Sequence, residues 1–155
     1  MDMLKIMNAK EKKEFLRQVE DLYGIDRSIL KDHEYLSNSE KVWIASRNIL
    51  KGNSARLTIE GVGMLFARIS KDSGSIKLTT NAIQLFGRHM TKNILVLEKE
   101  DAQKYVRGLD ISGLQQTGCA GYVVVKSGRD YLGCGLYKDG CLKNQIPKQR
   151  RIKKF

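Results

Sequence analysis

Glycines divide the last third of the chain into short segments with strand character, and this feature constrains the fold most. Gly121–Val125 (GYVVV) and Tyr131–Tyr137 (YLGCGLY) are rich in the β-branched and aromatic residues typical of strands. Lys126–Asp130 (KSGRD) joins them, and Lys138–Gly140 (KDG) is a hairpin turn sequence. Strands are therefore expected to dominate the second half.

Three helices are predicted from capping signals and apolar spacing. Asn8 and Glu11 form a capping box before a one-sided helix that Gly24 ends. Thr79 or Thr80 caps a short helix that ends at Gly87, with Arg88 and His89 just outside it. A third helix, Glu98–Arg107, directs Ala102, Tyr105 and Val106 inward and ends at Gly108.

Further strands are predicted in both halves of the chain. Lys41–Ala45 forms a short strand with Trp43 in or near the core, Arg56–Ile69 forms two strands or one bent strand, and Asn93–Leu97 forms a buried strand. The polar loop Lys71–Ser75 (KDSGS) is the best boundary between two modules.

The C-terminal tail is strongly basic. From residue 143 onward there is no acidic residue but there are six basic ones: Lys143, Lys148, Arg150, Arg151, Lys153 and Lys154. Residues 75–155 carry 15 Lys and Arg against six Asp and Glu, whereas residues 1–74 carry 13 against 11. Clustered cations that neutralise phosphates release condensed counterions, so this asymmetry favours a nucleic acid as the partner.

Other classes of protein fit poorly. Cys119, Cys134 and Cys141 form no CxxC pair, and His33 and His89 lie far from them in sequence, so neither a metal site nor a cofactor is expected. The odd number of thiols and the lack of an apolar leader indicate a cytoplasmic protein. No apolar run is long enough to cross a bilayer. The thiols are expected to be small buried hydrophobes rather than nucleophiles, so the protein is not expected to be an enzyme.

The second half resembles a PUA domain, a small RNA-binding module of modification enzymes. The likeness lies in the order of helix, glycine stop and glycine-containing strands at Tyr105–Ile111, Gly121–Val125 and Tyr131–Leu136. Leu132–Arg151 is similar to the RNA-binding segment that ends Sun-family RNA cytosine-5 methyltransferases. Tyr23–Trp43 resembles the module that precedes this domain in those enzymes and in ribosome-biogenesis factors with a pre-PUA region.

The resemblance implies an α+β fold in two parts. Residues 1–73 would form an N-terminal α/β pre-PUA module, and residues 74–155 a PUA-type β-pseudobarrel with short helices and the basic tail. The chain has no room for the methyl-donor-binding domain and lacks the paired motif cysteines. A stand-alone RNA-binding protein for tRNA or rRNA is therefore expected, acting beside an RNA-modifying enzyme or on a ribosomal precursor.

The expected RNA site follows from the parts of PUA domains that bind RNA. Cations would hold phosphates, glycine backbone at positions 108 and 133 would contact sugar or base edges, and an asparagine would offer a paired donor and acceptor. The expected RNA-binding residues are Arg107, Gly108, Leu109, Leu132, Gly133, Lys143, Asn144, Lys148, Arg150 and Arg151. Tyr131 or Tyr137 would be able to stack a base if exposed.

Two alternatives remain open at this stage. The protein could be an interaction adaptor in a ribosome-assembly or RNA-modification complex, with the first half docking a protein and no direct RNA contact. DNA is the weaker rival, because no helix-turn-helix pattern or basic recognition helix is present. Whether the first half contacts RNA or a protein, and whether the tail is ordered without RNA, also stay open.

Overall fold

The chain divides into two compact units, Met1–Lys77 and Leu78–Phe155. The computed structural model describes residues 3–46 and 63–153. The predicted boundary after residue 73 lies in the polar loop that precedes the last strand of the first unit.

The first unit combines two helices with one sheet. Its elements are β1 (Lys5–Ile6), α1 (Ala9–Tyr23), α2 (Arg27–Leu30), β2 (His33–Ser37), β3 (Lys41–Ser46), β4 (Met64–Ile69) and β5 (Ile76–Leu78). The strands follow chain order across the sheet, and β1–β2, β2–β3 and β3–β4 pair antiparallel. The predicted strand Arg56–Ile69 is confirmed from Met64 onward, and its earlier part lies outside the described residues.

Helix α1 forms as its sequence predicts. The Asn8 side chain accepts from the Glu11 backbone N–H at 2.8 Å, and the Glu11 carboxylate accepts from the Asn8 N–H at 3.4 Å. These two bonds satisfy otherwise unpaired N–H groups of the first turn. Gly24 ends the helix in the left-handed region at φ 67°.

Three aromatic rings lie at the centre of the core of the first unit. Phe15 of α1, Tyr35 of β2 and Phe66 of β4 lie with ring centroids 5.9 to 6.0 Å apart, in tilted and edge-on arrangements that favour aromatic pairs. The Tyr35 hydroxyl donates to the Leu30 carbonyl at 2.8 Å, which satisfies the polar end of a fully buried ring. Trp43 lies half-buried on β3, at the margin of this core.

The second unit combines short helices with a four-stranded sheet. Its elements are α3 (Thr80–Phe86), a 3-10 helix (Gly87–His89), β6 (Ile94–Val96), α4 (Lys99–Val106), β7 (Gly121–Ser127), β8 (Asp130–Lys138), β9 (Cys141–Asn144) and a second 3-10 helix (Lys148–Arg150). The sheet order is β6-β7-β8-β9, with β6 parallel to β7 and the other pairs antiparallel. Ile111 adds an isolated antiparallel bridge to Leu142.

The short helix α3 begins and ends where the sequence predicts. Thr79 caps its start and Gly87 is its C-cap, although Gly87 is right-handed and opens a 3-10 turn through His89. The glycine is needed for packing, because a Cβ there would lie 2.6 Å from Cδ1 of Tyr131. Helix α4 and its glycine stop form as predicted, with Gly108 at φ 95°.

Tyr105 anchors α4 to the core of the second unit. Its side chain is fully buried among Leu95, Val123 and Leu142, and its hydroxyl donates to the Cys134 carbonyl at 2.5 Å. Burial raises the pKa of Tyr105, so the hydroxyl stays a protonated donor. This contact fixes the helix against β8 and so determines where the last turn of α4 lies.

The chain is thus a mixture of helix and sheet, as predicted. In residues 3–46 and 63–153, no helix has the length and apolar character that a membrane crossing requires.

Candidate nucleic-acid interface

Asn144 at the end of β9 joins the tail to the last turn of α4. Its Nδ2 donates to the carbonyl oxygens of Tyr105 at 2.6 Å and Leu109 at 3.0 Å, and its Oδ1 accepts from the Ile146 N–H at 2.9 Å. Its backbone N–H donates to the Asp110 carboxylate at 2.8 Å. Both amide hydrogens are therefore used inside the unit, which corrects the expectation that Asn144 offers RNA a paired donor and acceptor.

The tail beyond β9 folds back over the same turn of α4. The Ile152 N–H donates to the Val106 carbonyl at 2.8 Å, and Nε of Arg151 donates to the Ile146 carbonyl at 3.2 Å. A Cβ on Gly108 would lie 2.4 Å from Cδ of Arg151 and 2.6 Å from its Nε. Gly108 thus lets the Arg151 side chain lie directly on the backbone, and contact of Gly108 with sugar or phosphate stays a prediction.

Arg150 is held by helix α3 rather than by an acid. Its guanidinium donates from Nη1 to Oδ1 of Asn81 and from Nη2 to Oε1 of Gln84, the latter at 2.8 Å. Nε2 of Gln84 donates in turn to the Leu132 carbonyl at 3.4 Å. Amides orient the guanidinium without cancelling its charge, and its remaining N–H donors are still available for a phosphate.

Two of the expected strand residues face the interior instead of a ligand. Gly133 is buried, and a Cβ there would lie 3.0 Å from the Tyr105 hydroxyl oxygen and 3.3 Å from Oγ1 of Thr80. Leu132 is half-buried and packs against the apolar core. The glycine at 133 accommodates the side chains of Tyr105 and Thr80, so the structure gives it a packing role, and the expected contact of these two residues with RNA stays a prediction.

The tyrosines expected to stack bases are also engaged. Tyr137 is buried, and its hydroxyl donates to the Gln116 carbonyl at 3.0 Å. The Tyr131 ring packs against Gly87 and lies beneath the Lys126 ammonium, whose Nζ is 5.1 Å from the ring centroid. Neither ring is free to receive a base.

The remaining expected residues lie at the surface. Lys143 is exposed because it alternates with Leu142, which faces the core, and Lys148 and Arg107 are exposed as well. Leu109, 50% exposed, follows Gly108 in the same turn. The contacts of Asn144, Arg151 and Ile152 bring this turn and the tail together. We call the resulting surface the tail surface: Arg107, Leu109, Lys143, Lys148, Arg150 and Arg151.

The tail surface carries unneutralised positive charge. Among the residues that the structure describes, Lys143, Lys148, Arg150 and Arg151 make no ion pair with a carboxylate. Lys143, Lys148 and Arg150 are exposed and Arg151 is half-buried, so the surface is accessible to a large anion. A surface of this type attracts polyanions and binds them with a strong dependence on salt.

Sequence reasoning missed several residues that shape this surface. Asn81 and Gln84 lie three residues apart on one face of α3, a spacing that allows both to reach one guanidinium, but nothing in the sequence connects them to Arg150. Lys104, exposed in the last turn of α4, precedes Arg107 by three residues and extends the positive face. The three-residue spacing of Lys104 and Arg107 in the sequence indicates that both lie on one face of the helix end.

Residues 92–152 match the family model described as the methyltransferase RsmF PUA domain. The second unit therefore contains a PUA domain, as the sequence predicted, and PUA domains generally bind RNA. The match includes no methyltransferase catalytic domain. No curated protein matches the chain.

Proposed function

We propose that this protein binds structured RNA, tRNA or rRNA, on the tail surface and carries out no chemistry itself. The observation that carries the proposal is the way the tail is fixed: Arg150 is bound by two side-chain amides of α3, and Arg151 is bound by a backbone carbonyl and lies on Gly108. Because these side chains are already ordered before RNA binds, association costs less side-chain conformational entropy. The positive charge is at the same time left intact for phosphates.

Each cation has a distinct role in this proposal. Lys143 and Lys148 act as mobile point charges that follow the phosphate backbone. Arg150 and Arg151 act as oriented forks, because their partners leave several N–H groups unused. Arg107 and the exposed Leu109 border the surface at the glycine turn. Because A-form RNA hides its major groove from side chains, specificity would come from the shape of a stem or from a splayed end.

The surroundings of the thiols support a non-catalytic role. Cys134 is buried, and its Sγ donates to the Gly135 carbonyl at 3.8 Å. Burial raises the pKa of the Cys119 thiol, which disfavours the thiolate that a nucleophile needs. We therefore assign any RNA modification to a separate enzyme, with the present protein positioning the RNA.

We further propose the finer architecture that the resemblance implies. The bridge between Ile111 and Leu142 continues the sheet of the second unit beyond β9, as a β-pseudobarrel requires. The first unit, with its two helices and one sheet, would be the pre-PUA module. In this proposal the protein is cytoplasmic and acts in RNA modification or ribosome biogenesis.

A salt titration with matched variants tests the RNA-binding proposal. In Lys143→Gln/Lys148→Gln, the slope of log affinity against log salt for single-stranded RNA should become shallower by about 1.4, from about 0.7 for each lost phosphate contact. The control Lys10→Gln/Lys13→Gln removes the same charge from exposed positions of α1 and should keep the slope of the wild type.

A comparison of tRNA, rRNA fragments and duplex DNA completes the test. We expect tighter binding to structured RNA than to DNA of equal length. Equal binding to all three would contradict RNA specificity. No salt-dependent binding to any of them would favour the adaptor, in which the first unit docks a protein and the tail only shields acidic neighbours.

A further inference from the structure

A second group of cations lies at the end of α3 that is remote from Arg150. The 3-10 turn after α3 carries Arg88 and His89, and the end of the β7–β8 hairpin carries Lys126, Arg129 and Tyr131. Arg88 and Arg129 are exposed, and the other three are half-buried. We call these five residues the hairpin surface.

Direct contacts hold this surface together. The backbone of Gly87 lies against Tyr131 so closely that a Cβ would come within 2.6 to 2.9 Å of three atoms of that side chain. Lys126 and Tyr131 are cross-strand partners, and the Lys126 ammonium lies over the ring at 5.1 Å from its centroid. Nε of Arg88 donates to Nε2 of His89 at 3.3 Å. Tyr131 thus positions both the ammonium and the turn that carries Arg88.

The charge of the hairpin surface is not cancelled within the protein. Within residues 3–46 and 63–153, Arg88, Lys126 and Arg129 have no carboxylate within ion-pair distance, although Asp130 is exposed beside them in the hairpin. Three cations against one acid leave the region positive. Oriented positive groups of this kind attract anionic polymers.

Helix α3 connects the hairpin surface to the tail surface. Gln84 contacts Arg150 through its carbonyl oxygen and Leu132 through its amide nitrogen, and Leu132 directly follows Tyr131. From Asn81, which binds Arg150, to Arg88 the chain advances by roughly 10 Å along the helix axis. Arg150 of the tail surface and Arg88 of the hairpin surface therefore lie along one short helix, within reach of a few consecutive nucleotides.

We propose that an RNA strand held on the tail surface continues along α3 and is bound a second time at the hairpin surface. The ligand there is the sugar–phosphate backbone of a single-stranded segment, held by Arg88, Lys126 and Arg129. Tyr131 is a positioning residue that orients the Lys126 ammonium and does not stack a base. The inference rests on the proposed function and extends the footprint of the same RNA.

The test measures binding of an oligouridylate of roughly 12 nucleotides, within the range that one small β-barrel domain covers. For Arg88→Gln/Lys126→Gln the slope of log affinity against log salt should become shallower by about 1.4. Arg88→Gln/Arg129→Gln should give the same change without removing the contact with Tyr131. The control Lys99→Gln/Lys138→Gln removes the same charge from exposed positions of α4 and β8 outside both surfaces, and it should keep the slope.

Photocrosslinking locates the two ends of the strand. An oligouridylate with 4-thiouridine at one end should crosslink to peptides of the tail surface, and one with 4-thiouridine at the other end to peptides around Arg88 or Arg129. Wild-type slopes for both hairpin variants, or crosslinks of both ends to the tail alone, would overturn this inference and leave the proposed function standing. Salt-independent binding by the wild type would overturn both.

Discussion

The two units of this protein differ in the groups that bind the arginines Arg17 and Arg27 on one side and Arg150 and Arg151 on the other. In the first unit, Arg17 lies between Glu14 and Asp21 at 2.6 and 2.7 Å, and Arg27 lies 2.5 Å from Glu20. In the second unit, Arg150 is bound by two side-chain amides and Arg151 by a backbone carbonyl. Carboxylates cancel charge, whereas neutral partners fix its position and leave it in place.

The type of group that binds an arginine distinguishes a solvated face from a binding surface better than the number of cations does. The chain holds 13 Lys and Arg in residues 1–74 and 15 in residues 75–155, so their abundance hardly distinguishes the halves. The number of Asp and Glu residues and the type of group that binds each arginine distinguish the two halves. If the second unit is built to present charge, its internal contacts should be structural and its exposed cations should matter mainly for RNA.

Removing the Asn144 amide should have the largest effect on stability. Asn144→Ala loses three side-chain hydrogen bonds that join β9 to the last turn of α4 and to Ile146, so the second unit should unfold about 2 kcal/mol more easily. Amide hydrogen exchange of β7 and β8 measures this. The neighbouring Lys143→Gln should change that stability by less than about 0.5 kcal/mol and weaken RNA binding instead. Unchanged exchange in Asn144→Ala would mean that the amide is not structural.

A comparison of Asn144 with helix α1 shows which features the sequence could predict. Helix α1 was predicted in full because its signals, Asn8 with Glu11 and the stop at Gly24, act within one turn of the helix. Helix α4 and its stop at Gly108 were predicted for the same reason. The roles of Asn144 and Gly108 were not, because their partners lie about 35 to 45 residues away in sequence and become neighbours only when the sheet forms.

The charges of the expected site lie at the surface, whereas its glycines have close neighbours within the protein. A basic tail predicts a positive surface wherever it folds, and Lys143 and Lys148 are indeed exposed. A glycine in a strand shows only that something lies close to the backbone. At Gly133 it is the Tyr105 hydroxyl, and at Gly108 it is the Arg151 side chain. Only the tertiary structure distinguishes these neighbours from a ligand.

Two glycine substitutions test the comparison further, with a smaller expected effect on stability. Gly108 and Gly113 both have positive φ, 95° and 74°, so alanine at either position should cost about 1 kcal/mol of stability. Only at Gly108 would the new methyl group displace Arg151, since nothing lies within 4 Å of a Cβ on Gly113. RNA affinity should therefore fall for Gly108→Ala and not for Gly113→Ala. Equal affinities would show that the position of Arg151 does not matter for binding.

The smallest expected effect concerns the ion pairs of the first unit. The hydrogen bond from Arg17 holds the pKa of Glu14 below its usual value, so the carboxylate contributes stability above the unfolded-state pKa and loses it as the pH falls through the lowered value. Arg17→Gln should therefore unfold slightly more easily near neutral pH, and the difference should vanish in acid and in about 1 M salt, where the Debye length is roughly 3 Å. Fluorescence of Trp43, the single tryptophan, reports unfolding of this unit.

Lys13→Gln, at an exposed α1 position without a carboxylate partner among the described residues, should show no such pH dependence. A pH-independent difference for Arg17→Gln would mean that its carboxylate partners contribute nothing, and the contrast between the two units would then lie in the number of acids alone.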